Sequence, residues 1–170
     1  GQEIAPGIPG EVLVKGNGVF SEYWRRPEET GESFHKGWFQ TGDLAVEEDD
    51  YYRLLGRLNQ DIIKTCGHKV SALEIEEVLV EHPDINDATV VSINDNIWGE
   101  IVCAAVIPRT ELLSDDRILK WSKDKFITHK RPRRVLIMND FPRNDLGKVI
   151  KGELREMFEK PSELESDDNT

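Results

Sequence analysis

Hydrophobic and polar positions change their rhythm at about residue 60 of the 170-residue chain. Before that point the pattern is short and strand-like. GQEIAPGI reads as a loop, and GEVLVKG (10–16) alternates between two glycines, which predicts a strand. VFSEYW (19–24) has strand-type aromatic content, and RRPEETGESF predicts a turn into a short helix. GWFQTGDLAVEEDDYYRLLGR (37–57) predicts a β-meander of two short strands joined by the acidic turn EEDD.

After Arg57 helical spacing appears. Ser71 and Glu74 have capping-box spacing, and Ile75, Val78 and Leu79 mark one face of a helix that should stop at His82, because Pro83 follows. DATVVSI and IVCAAVI predict two buried strands separated by NDNIWGE. A second helix should start near Ser114 with Ile118, Trp121 and Lys125 on one stripe. RRVLIMN predicts another strand, and a last helix carries Ile150, Leu154, Met157 and Phe158. Residues 60 to 160 thus form a compact α+β unit. The opening sixty are all-β, too few to close a core, and are expected to be the last piece of something larger.

Composition narrows the function classes. A net charge of −11 argues against a general nucleic-acid binder. The last ten residues, PSELESDDNT, hold four acids and no base and read as a disordered tail. No apolar run approaches membrane-spanning length and no signal-peptide pattern is present. Two cysteines, Cys66 and Cys103, form neither a disulfide framework nor a metal-ligand spacing, so a reducing compartment is expected, with both as packed or partly exposed thiols.

Four stretches could carry chemistry. In GWFQTGDLAV, Asp43 at a Thr41-Gly42 turn could accept hydrogen bonds from a ribose diol, or the turn could be a plain one. Arg57, Lys64, His68 and Lys69 gather cations and donors around two glycines before a capped helix. That suits a polyanion, and equally a strand-turn-helix with solvated charges. HKRPRR (129–134) reads first as a solvated charge run. Trp98 reads as a packing residue. Lys148 follows Gly147 ahead of a helix, but this is no P-loop: Pro142 stands where that motif needs its first glycine, and Val149 where it needs Ser or Thr. By itself, Lys148 reads as a surface lysine after a tight turn or as one projecting toward a ligand between two domains.

Taken in order, GWFQTGD, GRLNQDIIKTCGHKVSALEIE, HKRPRRVLIMNDFPRN and GKVIK resemble the C-terminal third of acyl-adenylate-forming enzymes, the family of acyl-CoA synthetases, luciferases and nonribosomal adenylation domains. The resemblance covers Gly10 to Phe158. EYWRRPEET, GWFQTGD, DIIKTCGHKVSALEIE and the gap between Arg57 and Lys64 are most similar to the malonyl-CoA and methylmalonyl-CoA synthetase branch.

The resemblance implies a β-rich remnant of a large AMP-binding domain over 1–58 and a hinge at Asn59 and Gln60. It further implies a small mobile C-terminal domain over 61–160, a short mixed sheet flanked by helices, and the acidic tail over 161–170. It implies that Asp43 and Arg57 hold ATP or AMP, and that Lys64, Gly67, His68 and Lys69 line the thiol-transfer face used by coenzyme A. Lys148 matches the catalytic lysine of the first half-reaction, and Glu74 supports the capped helix. Many relatives carry a second glycine where Cys66 stands and Asp or Lys at the hinge.

The implied activity is ATP-dependent ligation of malonate, methylmalonate or another short-to-medium acid to CoA. The alternatives are a relative using another acyl acid or a carrier protein, and a standalone non-catalytic remnant. ATP and CoA are the implied cofactors, with Mg2+ held by ligands outside these residues; no metal site is expected within them. A phosphate loop and a magnesium-binding Glu are not found here, so the 170 residues alone are expected to be inactive and to need the missing N-terminal domain. The implied setting is cytoplasmic or mitochondrial, any targeting peptide lying upstream.

Overall fold

The computed structural model describes residues 3–160; the expected tail at 161–170 lies outside the described residues. The chain divides into two compact units, Gly1–Asn59 and Gln60–Thr170.

The first unit is built on strands β1 (Gly10–Val14), β2 (Phe34–His35), β3 (Trp38–Glu48) and β4 (Tyr51–Arg57), with helix α1 (Pro27–Ser33) between β1 and β2. Strand β3 is the spine, pairing antiparallel with each of the other three. It runs eleven residues, longer than the sequence pattern predicts. Asp49 and Asp50 both take positive φ, +50° and +65°, at the β3–β4 turn. Two such residues match the right-handed twist of a hairpin. The first unit is therefore not all-β, since α1 starts on Pro27, whose fixed φ suits the first helical turn. The strand expected over 19–24 does not form. Phe20 packs instead, meeting Tyr23, Phe34 and Phe39 with ring centroids 4.7, 5.6 and 5.0 Å away, while Trp24 is exposed.

The second unit is a mixed five-stranded sheet with helices on both faces. Its elements are β5 (Ile62–Thr65), β6 (His68–Ser71), α2 (Ala72–Leu79), β7 (Ile85–Asp95), β8 (Gly99–Pro108), α3 (Asp115–Lys125), β9 (Arg134–Ile137) and α4 (Lys151–Glu159). Strand β8 is central. It pairs antiparallel with β7 along its length, with β5 at Gly99, and parallel with β9 from Cys103 to Val106.

Strand alternation sorts side chains into two cores. Val90, Val102, Ala104 and Val106 join Ile75 and Leu79 of α2 and Ile118 of α3 on one face. Val91, Ile93, Ile101, Cys103 and Ala105 join Phe141 and Leu154 and Phe158 of α4 on the other. Period-two strands buried on both faces read as continuous apolar runs, which is why DATVVSI and IVCAAVI look unbroken in sequence. Helix α2 ends at Leu79, earlier than Pro83 alone suggests. The N–H groups of Glu81 and His82 bond the carbonyls of Val78 and Leu79, tightening the chain into three-residue turns before the proline is reached.

Candidate functional site

Asp43 sits inside β3 and not in a turn, because Gly42 takes φ +74° while strand pairing continues around it. Register places Asp43 opposite Arg57, the last residue of β4. The Arg57 Nε lies 2.9 Å from Asp43 Oδ1, and its Nη1 donates to the Thr41 carbonyl at 2.9 Å. The Leu58 N–H donates to the Gly42 carbonyl at 2.9 Å. A bulged strand, a glycine and one guanidinium thus fix a half-exposed carboxylate. A concavity of 680 Å³ on this unit, lined by Ile4, Ile8, Leu13, Trp38, Tyr52 and Leu54 among others, contains neither Asp43 nor Arg57.

Lys64, Gly67, His68 and Lys69 fall together on the β5–β6 hairpin of the second unit, whereas Arg57 belongs to the first. Cys66 and Gly67 turn the hairpin with φ of +48° and +76°. The tip is pinned to the β7–β8 connection, with the Cys66 N–H donating to the Trp98 carbonyl at 2.8 Å. Glu100 accepts from the Lys64 N–H through one oxygen and from the Ser92 hydroxyl through the other, at 3.2 Å. Lys64, His68 and Lys69 are all exposed. His68 stacks on His129, ring centroids 4.1 Å apart and 9° from parallel. Desolvation lowers the His129 pKa, and the neighbouring His68 and Lys130 lower it further.

The run HKRPRR is engaged in structure residue by residue. Lys130 bonds Glu74 at 2.8 Å, and Arg131 donates to the Phe126 and Lys123 carbonyls at the end of α3. Arg133 lies over the Trp98 ring at 3.9 Å, and Arg134 donates to the Phe158 carbonyl. Ser71 caps α2 by accepting from the Glu74 N–H at 3.2 Å, so Glu74 supports both the helix start and Lys130.

Lys148 stands on the loop between β9 and α4. Asn144 organises that loop: its Oδ1 accepts from the N–H groups of Leu146 and Lys148 at 3.1 and 2.9 Å, and its carbonyl accepts from Gly147 at 2.8 Å. Gly147 takes φ +78°, and a β-bridge between Arg143 and Val149 closes the base. Arg143 also donates to the Gly147 carbonyl at 3.0 Å. The turn therefore holds the backbone of Lys148 while its side chain stays exposed, with no hydrogen-bond or ion-pair partner among the described residues.

Sequence reasoning passed over Lys151, Asp61 and Glu76, which form a shielded ion cluster, and Asn144 and Arg143. An Asn three residues ahead of a glycine is a turn signal and could have exposed the loop's design. The ion cluster leaves no local signal, because its members lie on three separate elements. Among the described residues no group of three or more His, Cys, Asp or Glu side chains is placed to hold a metal. These residues do not fit a magnesium site.

Residues 74–148 match the AMP-binding enzyme C-terminal domain. Over 159 residues the chain is 44% identical to the mitochondrial malonate–CoA ligase of Mus musculus, with 91% of this chain and 27% of that protein covered. Over 163 residues it is 42% identical to the malonate–CoA ligase of Arabidopsis thaliana, covering 88% of this chain and 27% of the relative. The ATP-bound crystal structure of MatB from Rhodopseudomonas palustris superposes with a TM-score of 0.85 at 34% identity, covering 93% of this chain and 32% of that one. The chain thus spans about a quarter of the length of the curated relatives it matches. Residues 74–148 therefore carry the AMP-binding enzyme C-terminal domain, within a mixed sheet flanked by helices whose fold the solved relative shares.

Proposed function

We propose that the chain is the C-terminal portion of an ATP-dependent carboxylate–CoA ligase acting on malonate. The observation that carries this reading is the likeness to malonate–CoA ligases over nine-tenths of the chain, through both units.

In the first half-reaction a carboxylate oxygen of the acid attacks the α-phosphorus of ATP. The bond to the bridging oxygen breaks, and an acyl-adenylate and pyrophosphate result. Negative charge builds on the transferred group, and the Lys148 ammonium, on a backbone held by Asn144, is suited to stabilise it. Asp43 receives the ribose hydroxyls. An ionised carboxylate has about four lone-pair sites, so the bond to Arg57 orients it and is compatible with accepting from a diol.

In the second half-reaction the CoA sulfur attacks the acyl carbon and AMP leaves with the electron pair of the broken C–O bond. The hairpin carrying Lys64, Gly67, His68 and Lys69 serves this step, with Asn59 and Gln60 as the hinge on which the second unit exchanges one role for the other. Cys66 and Cys103 are free thiols, as suits a reducing cytoplasmic or mitochondrial setting. Among the described residues no helix is long and apolar enough to cross a membrane.

The test is a thioester assay of the full-length protein with malonate, methylmalonate and acetate. Acyl-CoA formed from malonate in preference to acetate is expected, and failure with both dicarboxylates would sink the assignment.

A further inference from the structure

The Lys151 ammonium lies 2.7 Å from Asp61 Oδ1 and 3.0 Å from Glu76 Oε1. All three side chains are shielded, with 15%, 13% and 18% of their surface exposed. Glu76 Oε1 also accepts from the Val90 N–H at 2.7 Å and the Thr89 hydroxyl at 3.3 Å. The cluster therefore joins the first residue of α4 to α2, to β7 and to the segment entering β5. One helical turn further along α4, Arg155 donates to the Gln60 carbonyl at 3.2 Å.

Two consequences follow from where these residues sit. Lys151 lies three residues beyond Lys148, at the exit of the loop that presents it. That loop's entrance is held by Arg143, whose ion pair with Asp87 is exposed and 3.4 Å long. Exposed pairs restrain a backbone weakly, whereas a shielded ammonium with two carboxylates has few alternative geometries. The exit is thus the firmer anchor, and it is an ionic one: Ile150, at the N-cap of α4, provides no side-chain cap. At the other end of the cluster, Asp61 directly follows Gln60, where the second unit begins. The same face of α4 grips both the start of the unit and the base of the Lys148 loop.

We propose that Lys151 is a positioning residue for Lys148: it locks the loop to the segment just past the unit boundary, so that Lys148 moves with that segment as one body. Positions held to about half an ångström separate an effective charged donor from an idle one. The cluster acts on the adenylation step; Asp61 borders the base of the β5–β6 hairpin, whereas the hairpin tip that serves thioester formation is held separately by the Trp98 carbonyl and Glu100. The inference rests on the adenylation role proposed for Lys148.

The experiment uses the full-length protein and measures two reactions separately: malonate-dependent exchange of pyrophosphate into ATP, and CoA thioester formation from supplied malonyl-adenylate. Lys151→Met is expected to lower kcat for exchange tenfold or more, with KM for ATP and the thioester rate changed less than about threefold. Lys151→Arg, which keeps the charge and reach, is expected to recover most of the exchange rate. Asp61→Asn, milder for folding, is expected to show the same selective loss in smaller measure. Equal losses in both reactions, or no recovery by arginine, would overturn the positioning role and leave a structural one. Lys148→Ala is the control. If it abolishes exchange while Lys151→Met and Asp61→Asn do not, only the present inference fails; if Lys148→Ala leaves exchange intact, the underlying reading fails too.

Discussion

The imidazole of His129 lies flat against that of His68, 4.1 Å between centroids, joining the 3-10 turn after α3 to the β5–β6 hairpin. Desolvation disfavours a charge on His129, and the charges of His68 and Lys130 add to the effect. The folded-state pKa is below the ordinary 6.5, so the unfolded chain takes up the proton first. Stability from this site is therefore full above the ordinary histidine range and is lost as pH falls through it. We expect His129 to titrate below 6.5 by NMR and to move upward in His68→Ala. An unchanged midpoint would contradict the stacked arrangement.

Lys148→Ala in the full-length protein should lose adenylate formation by about a hundredfold or more, since a donor aimed at developing charge is worth about 2.7–4 kcal/mol. Thioester formation from supplied acyl-adenylate should persist. Equal loss of both activities would refute the division of labour between Lys148 and the hairpin.

The Asp43–Arg57 pair makes a different prediction. Asp43→Asn keeps the shape but removes the charge that Arg57 orients and that a ribose diol would meet. Hydrogen bonds to charged groups contribute about 1.5–3 kcal/mol, so KM for ATP should rise tenfold or more with the CoA dependence unaltered. Steady-state kinetics with ATP and CoA varied in turn decide it.

The two thiols should separate cleanly. Cys103 is fully buried in the sheet, and desolvation pushes its pKa up to about 12, whereas Cys66 is exposed at the hairpin tip. Iodoacetamide at pH 8 should label Cys66 alone in the native protein, as read by peptide mass, and reach Cys103 only after denaturation.

Cys66 also adopts φ +48°, a conformation that L side chains other than Asn and Asp resist. Cys66→Gly should relieve this and stabilise the protein by up to about 1 kcal/mol, less what the added freedom of the unfolded chain subtracts. Thermal unfolding measures it, and a lower midpoint would show the strain to be offset elsewhere.

Elements whose pattern is local were legible along the chain. Capping at Ser71 and Ser114, the strands around Val90 and Ala104, and the helix carrying Leu154 and Phe158 follow from periodicity, because each depends on neighbours within a few residues. The ordered blocks likewise carried the family, and with it the candidates Asp43, Arg57, Lys64, Gly67, His68, Lys69 and Lys148. Where local preference competed with packing, it lost. Phe20 packs against Phe34 and Phe39 although the composition of 19–24 favours a strand, and Asp43 stays within β3 although Gly42 suggests a turn. The pairings between distant residues emerge with the folded chain: Asp43 with Arg57, His68 with His129, and Lys151 with Asp61 and Glu76. An ion pair or a ring stack depends on distance in space, and no spacing along the chain encodes that distance until the sheet has brought its strands into register.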